Sequence, residues 1–178
     1  MACGQSRRDY ATFIRAVQDL PYQVKILAPK QQHLNFHVSD NVHDLRTLPK
    51  NVEILQDDGT YSSWLKVMAG CKILVIPINA RSMYAEGVGT FLAAMALRKC
   101  VVISDTDAAK GIIDSGQAVL VPQGDAESLK HAITRVWEND EFRNQVAEKG
   151  HEHAIGAGDE KVLARRFFQE TINFLGHP

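Results

Sequence analysis

The segment YAEGVGTFLAAMALRKCVVISD, residues 84–105, sets Gly87 and Gly89 in a short polar loop ahead of an apolar helical pattern. A bare apolar strand, ILVIP, lies just upstream at Ile73–Pro77. A passage of this kind can bind an anion. The first N–H groups of a helix lack intrahelical acceptors and together carry roughly half a positive charge. Glycine lets a phosphate approach them with no Cβ in the way. Val88 and Thr90 complete the turn; Thr90 adds a hydroxyl, and Arg81 upstream adds a cation. A second strand-to-helix joint lies at Gly4–Arg8, with Arg7 and Arg8 beside the glycine. Two such joints facing each other would grip a diphosphate. On spacing alone, Gly87–Gly89 reads equally as a ligand loop or as a plain turn. It is not the dinucleotide fingerprint, because the third glycine position holds a bulky residue, and no GK[ST] follows as in a Walker loop. Arg7 and Arg8 alone are more often a solvated pair than a phosphate clamp.

Other reactive side chains point elsewhere. His151 and His153, in HEH, stand two apart, which on a helix turns them to different faces, so solvated histidines are expected and no metal site. Cys3, Cys71 and Cys100 form no CxxC pair and read as buried free thiols of a reducing, cytoplasmic compartment. A net charge of −1 argues against nucleic acid held by bulk positive charge. No run is long enough to span a bilayer, and no signal peptide is visible.

The elements that would hold these residues alternate. Gln23–Ala28, Val52–Leu55, Ile73–Pro77, Cys100–Ser104 and Ala118–Val121 are short, rich in Val and Ile, and mostly without polar alternation, as strands covered on both faces are. Helices are predicted between them, one from Asp9 with Tyr10, Phe13, Ile14, Val17 and Leu20 as its stripe, and one capped by Ser62 and stopped at Gly70. A short helix covers Asp107–Ile113. Asp125, Asp140 and Asp159 each open another, with Gly156 and Gly158 breaking the chain before the last. Gln31–Lys50 is expected to be a long loop with a helical turn. Alternation of this kind predicts an α/β, Rossmann-like, doubly wound parallel sheet of about six strands with right-handed crossovers, as one domain over 178 residues. A strand should precede the first helix, yet only Met1–Cys3 remain for it. Either that strand is cut short, or the chain is a fragment of something longer.

Order and residues together resemble the C-terminal, donor-binding domain of GT-B glycosyltransferases, the glycosyl transferases group 1 family. GQSRRDYATFIRAV is similar to the family's glycine, basic residue and following helix. GVGTFLAAMALRKCVVISD resembles its L-E-A-M-A-x-G-K-P-V-V-x-S-D run, and PQGDAESLKHAI its P-G-D-x-x-x-L-A-x-A-I tail. The resemblance covers nearly the whole chain. It implies a UDP- or GDP-sugar donor, no cofactor and no metal, and a retaining transfer to an acceptor in polysaccharide or glycoconjugate biosynthesis. By the same resemblance Arg8, at the usual lysine position, and its neighbour Arg7 meet the diphosphate beside Gly4. Gly87, Val88, Gly89 and Thr90 hold the phosphates from a helix N-terminus. Leu55 to Tyr61 border the base.

The chain departs from the family at two places. Of two glutamates seven residues apart, the second, which usually binds the ribose, is Ala93 here; the first falls on Ala85, or on Glu86 with a one-residue gap. Glu86 is therefore the candidate for orienting the donor sugar. The family's Gly-Lys-Pro reads Arg98-Lys99-Cys100. The N-terminal acceptor domain is missing, so the isolated chain would hold half an active site. The other half would be that domain or a separate partner subunit, and any peripheral membrane contact would belong to it. Residues 159–178 form the helix that in the family crosses back toward the other domain. The alternatives are a non-catalytic nucleotide-binding or subunit-interaction module, which Ala93 favours, and a nucleotide-sugar epimerase of the same architecture.

Overall fold

Short runs of Val, Ile and Leu with no polar alternation become interior strands, because both of their faces can be buried. A computed structural model describes residues 1–4, 7–27, 48–56, 58–79, 87–114 and 116–158. In chain order the elements are β1 (Ala2–Cys3), α1 (Tyr10–Val17), β2 (Val24–Leu27), β3 (Val52–Leu55), α2 (Tyr61–Ala69), β4 (Ile73–Ile76), α3 (Val88–Ala96), β5 (Cys100–Ser104), α4 (Asp107–Lys110), β6 (Val119–Val121), α5 (Ala126–Glu138) and α6 (Asp140–Ala157). The six strands form one sheet in the order β3-β2-β1-β4-β5-β6, and every pair is parallel. Strands agree with the sequence reading to within one residue at each end. The strand expected in Met1–Cys3 is present as two fully buried residues between β2 and β4.

Alternate strand residues feed opposite faces of the sheet. Ile26, Val75 and Val102 pack with Phe13 and Val17 of α1 and with Leu129, Ile133 and Val136 of α5. Leu27, Ile76 and Ile103 pack with Met68 of α2 and with Phe91 and Met95 of α3. Each large apolar side chain fully buried this way contributes about 1.5–3 kcal/mol. β4 and β5 lie inside the sheet with every residue buried, as their apolar sequences require.

Several helix starts differ from the reading by sequence. Thr60, not Ser62, caps α2, its hydroxyl accepting from the Ser63 N–H at 3.1 Å. Asn139 caps α6 by accepting from the Phe142 N–H at 2.8 Å, so Asp140 is the first helical residue. α4 stops at Lys110, short of Ile113. Asp9 and Asp125 cap as expected. Gly156 lies inside α6, and Gly158, at φ 77°, ends it. His151 is not simply solvated: its Nδ1 stands 3.1 Å from the Ala96 carbonyl near the end of α3. The helix expected after Asp159 and nearly all of the loop expected at Gln31–Lys50 lie outside the described residues.

Candidate functional site

The strand order reverses between β1 and β4, because the chain winds outward from β1 in one direction and from β4 in the other. Open α/β sheets bind ligands in the crevice outside the carboxyl ends of strands at such a point. Both glycine joints leave from it: Gly4 follows β1, and Gly87 caps the helix that follows β4.

Backbone hydrogen bonds sew the two joints together. The Asp9 N–H donates to the Pro77 carbonyl at 2.9 Å, and the Asn79 N–H donates to the Arg7 carbonyl at 2.9 Å. Arg8 and Ile78 form an antiparallel bridge between them. The Ile78 N–H also donates to Ser104 Oγ at 2.8 Å, tying in the end of β5, and Gln123 Nε2 donates to the Asn79 carbonyl at 3.0 Å. Arg7 holds a positive φ of 55°, uncommon for a residue with a Cβ, at the centre of this stitching.

Arg8 is 3% exposed, and a charge so buried must be held by polar groups. Its Nε–H donates to the Cys3 carbonyl at 3.0 Å. The guanidinium folds back over Gly4, which has φ 113°; a Cβ there would stand 2.4 Å from Nη2 and 2.5 Å from Nε. Glycine is thus required at Gly4 twice, by its dihedral and by the side chain above it. A Cβ on Gly87, φ 91°, would stand 3.6 Å from the same Nη2 and 3.2 Å from Ile76 Cγ2. One buried guanidinium therefore lies over Gly4 and borders the space beside Gly87. The Tyr10 hydroxyl donates to the Gly4 carbonyl at 2.7 Å, and burial pushes its pKa well above the ordinary phenol range. Burial likewise pushes the Cys3 thiol up to about 11, against the opposing pull of Arg8.

α3 starts beside this guanidinium. Gly87 offers no side-chain cap, and no acidic residue lies in the first turn, so the helix end keeps its partial positive charge. Gly89 is exposed, and a Cβ built on it meets nothing within 4 Å. It is the second residue of the helix rather than part of the turn. Thr90 follows, partly exposed.

Of the residues singled out by sequence, the structure brings Gly4, Arg8 and Gly87 together and makes Val88, Gly89 and Thr90 the first three residues of α3. Arg7 contributes its backbone to the stitching, and its side chain is exposed. Leu55 ends the edge strand β3, two strands from β1, and Tyr61 opens α2, its ring tilted at 32° to that of Trp64 with the centroids 5.3 Å apart. Arg81 and Glu86 lie outside the described residues. Ala93 sits within α3, packed against the core. Tyr10, Ser104 and Gln123 were missed by sequence reasoning: Tyr10 reads as core stripe, and nothing local marks the other two as partners of a loop far along the chain. Among the described residues, no group of three or more His, Cys, Asp or Glu could hold a metal ion. No described helix is long and apolar enough to cross a membrane.

A family model described as Glycosyl transferases group 1 matches residues 7–153. No curated protein matches the sequence. Among solved structures, sucrose-phosphate synthase from Thermosynechococcus elongatus is similar at 17% identity and a TM-score of 0.74, over 99% of this chain and 45% of that one. Anabaena HepE in complex with UDP-glucose is similar at 19% identity and a TM-score of 0.73, over 97% and 48%. The C-terminal domain of a glycosyl transferase group 1 family protein, LpcC from Francisella tularensis, is similar at 14% and 0.65, over 88% and 82%. The chain spans about half the length of the first two.

Proposed function

The chain belongs to the glycosyl transferases group 1 family and has the fold of a GT-B C-terminal domain, and on that premise we propose that it is the donor-binding half of a glycosyltransferase. The donor is a UDP- or GDP-sugar held at the β1/β4 crossover. The observation that carries this reading is Arg8, buried between the two glycine joints beside the uncapped start of α3. That arrangement suits a diphosphate: a fixed cation from one wall and N–H groups of Val88, Gly89 and Thr90 from the other. As the glycosidic bond breaks, negative charge grows on the leaving nucleoside diphosphate. Donors already in place stabilise that charge without reorganisation, and the reading includes no metal. In the same reading Arg7 and Arg81 add positive charge at the rim, Leu55 and Tyr61 border the base, Glu86 orients the donor sugar, and transfer retains configuration. The acceptor side comes from a second domain or subunit.

The test is calorimetric titration with UDP and GDP on the parent chain and on Arg8→Ala and Gly89→Ala, after thermal melts confirm folding. Arg8→Ala removes a charge-assisted contact of about 1.5–3 kcal/mol, roughly a tenfold to hundredfold loss of affinity. Gly89→Ala, set in open space, keeps the fold but puts a methyl where the phosphate approaches. If the parent binds and both folded variants bind as tightly, the joint is only a turn. A second reading, a nucleotide-binding or subunit-interaction module without transfer activity, is favoured by Ala93, whose methyl stands where the family carries its ribose glutamate. Binding of neither nucleotide by the parent chain supports the subunit-interaction form of that reading.

A further inference from the structure

Tyr10 carries a polar atom into an apolar layer. Its side chain is 3% exposed and shares a core layer with Phe13, Val17 and Val75, where a phenylalanine would bring no polar group to satisfy. Its hydroxyl leaves that layer for one partner, the Gly4 carbonyl, six residues earlier in the chain and 2.7 Å away. Burial holds the phenol far above its ordinary pKa, so the hydroxyl keeps its proton and acts as a donor throughout the neutral range.

The turn from β1 to α1 is thereby closed twice. Two successive carbonyls at the end of β1 accept from side chains on either side of the Asp9 cap: Cys3 from Arg8 Nε–H at 3.0 Å, and Gly4 from Tyr10. The Asp9 N–H, between them, is fixed to the Pro77 carbonyl. Gly4 is the floor on which the guanidinium rests. A Cβ built on it would meet Nη2, Nε and Cζ of Arg8 at 2.4, 2.5 and 2.6 Å. The packing of Arg8 thus demands glycine, and glycine is the residue least able to hold its own dihedrals. Tyr10 supplies the restraint that the glycine lacks. Its hydroxyl also satisfies a carbonyl that would otherwise draw on the cation above it. Any rotation of the Gly4 peptide would move the floor under Arg8 and bring that carbonyl into competition with an anion.

We propose that Tyr10 is a positioning residue: by holding the Gly4 carbonyl it presents the Arg8 guanidinium to the diphosphate of the nucleotide donor, without touching the ligand itself. This role rests on the donor-binding reading of the site given above. It assigns to a residue of the core stripe part of the affinity for phosphate.

The experiment is a double-mutant cycle on the full chain: calorimetric titration of the parent, Tyr10→Phe, Arg8→Ala and the double variant with UDP and with GDP, after thermal melts confirm folding. Tyr10→Phe removes one oxygen and keeps the ring. It should weaken binding of the nucleotide that the parent prefers by about fivefold, the worth of one hydrogen bond. In the Arg8→Ala background the same substitution should change affinity less than twofold, because Tyr10 acts through Arg8. A loss of stability alone would not vanish in that background. A second measurement needs no substitution. With carbon-13 in its tyrosines, the parent should show the Tyr10 Cζ signal shift on saturation with nucleotide, since coupling between the hydroxyl and the ligand acts both ways. Equal affinity of the parent and folded Tyr10→Phe, or a Tyr10 signal unmoved at saturation, overturns this role and leaves the donor reading standing. A fivefold loss that persists in the Arg8→Ala background overturns it in favour of a contribution independent of Arg8. Binding of neither UDP nor GDP by the parent overturns the donor reading and this role with it.

Discussion

Gly4 and Gly89 differ in what an added methyl group would meet, and that difference separates folding from binding. A methyl on Gly4 runs into the Arg8 guanidinium and imposes an unfavourable φ, so Gly4→Ala should cost about 1–2 kcal/mol or more and displace Arg8. Gly89 has open space and a helical position, so Gly89→Ala should gain about 0.5–1 kcal/mol. Urea melts read both; equal effects of the two substitutions would mean that the guanidinium does not rest on Gly4. The chain itself announces glycine followed by two arginines ahead of a helix, which is local information. It does not announce that Arg8 folds back over Gly4 and reaches Gly87, because that depends on a dihedral and on a residue almost eighty positions away. The stitching to Ser104 and Gln123 is hidden for the same reason.

Helix starts carry much of the acid sensitivity expected of this fold. The Asp58 carboxylate is held below the usual range by the Thr60 hydroxyl, Asp125 by the Ser128 backbone N–H, and Asp140 by Arg143 at 2.6 Å. All three folded pKa values are depressed. Their stabilisation is therefore present above the unfolded value of 3.8 and is lost as pH falls through the folded values. Thermal melts should be flat near neutrality with respect to these groups and drop in the acid range, and Asp125→Asn with Asp140→Asn should blunt the drop. An unchanged acid limb in the double variant would remove these two carboxylates as its cause. Strands were more legible than caps. A strand buried on both faces shows as an unbroken Val and Ile run, whereas several residues near a helix start can cap it: Ser62, Thr60 and Asp58 all stand near α2, and the backbone path decides between them. Arg143 reads as a surface cation by type, yet it is buried and donates to the Val136 carbonyl at 3.1 Å at the end of α5.

At the scale of the molecule, alternation of strands and helices, together with the crossover, places Gly4, Arg8 and the start of α3 on one rim of the sheet. An acceptor must come from outside this chain if the site is a half-site. The purified chain should then hold nucleoside diphosphate weakly and transfer no sugar; clear transfer by the chain alone from UDP- or GDP-sugar, followed by product mass spectrometry, would refute the half-site view. The architecture was legible because doubly wound sheets repeat one local pattern. The buried thiols carry a consequence of another kind. Cys3 is pushed up to about 11 and Cys100 to about 12, so neither is appreciably ionised at neutral pH, and both are sealed in the sheet. Alkylation of either one therefore waits for the protein to open, which makes each thiol a clock. Cys3, in β1 between β2 and β4, keeps the time of opening at the strand crossover; Cys100, at the head of β5, keeps the time of opening between β4 and β6.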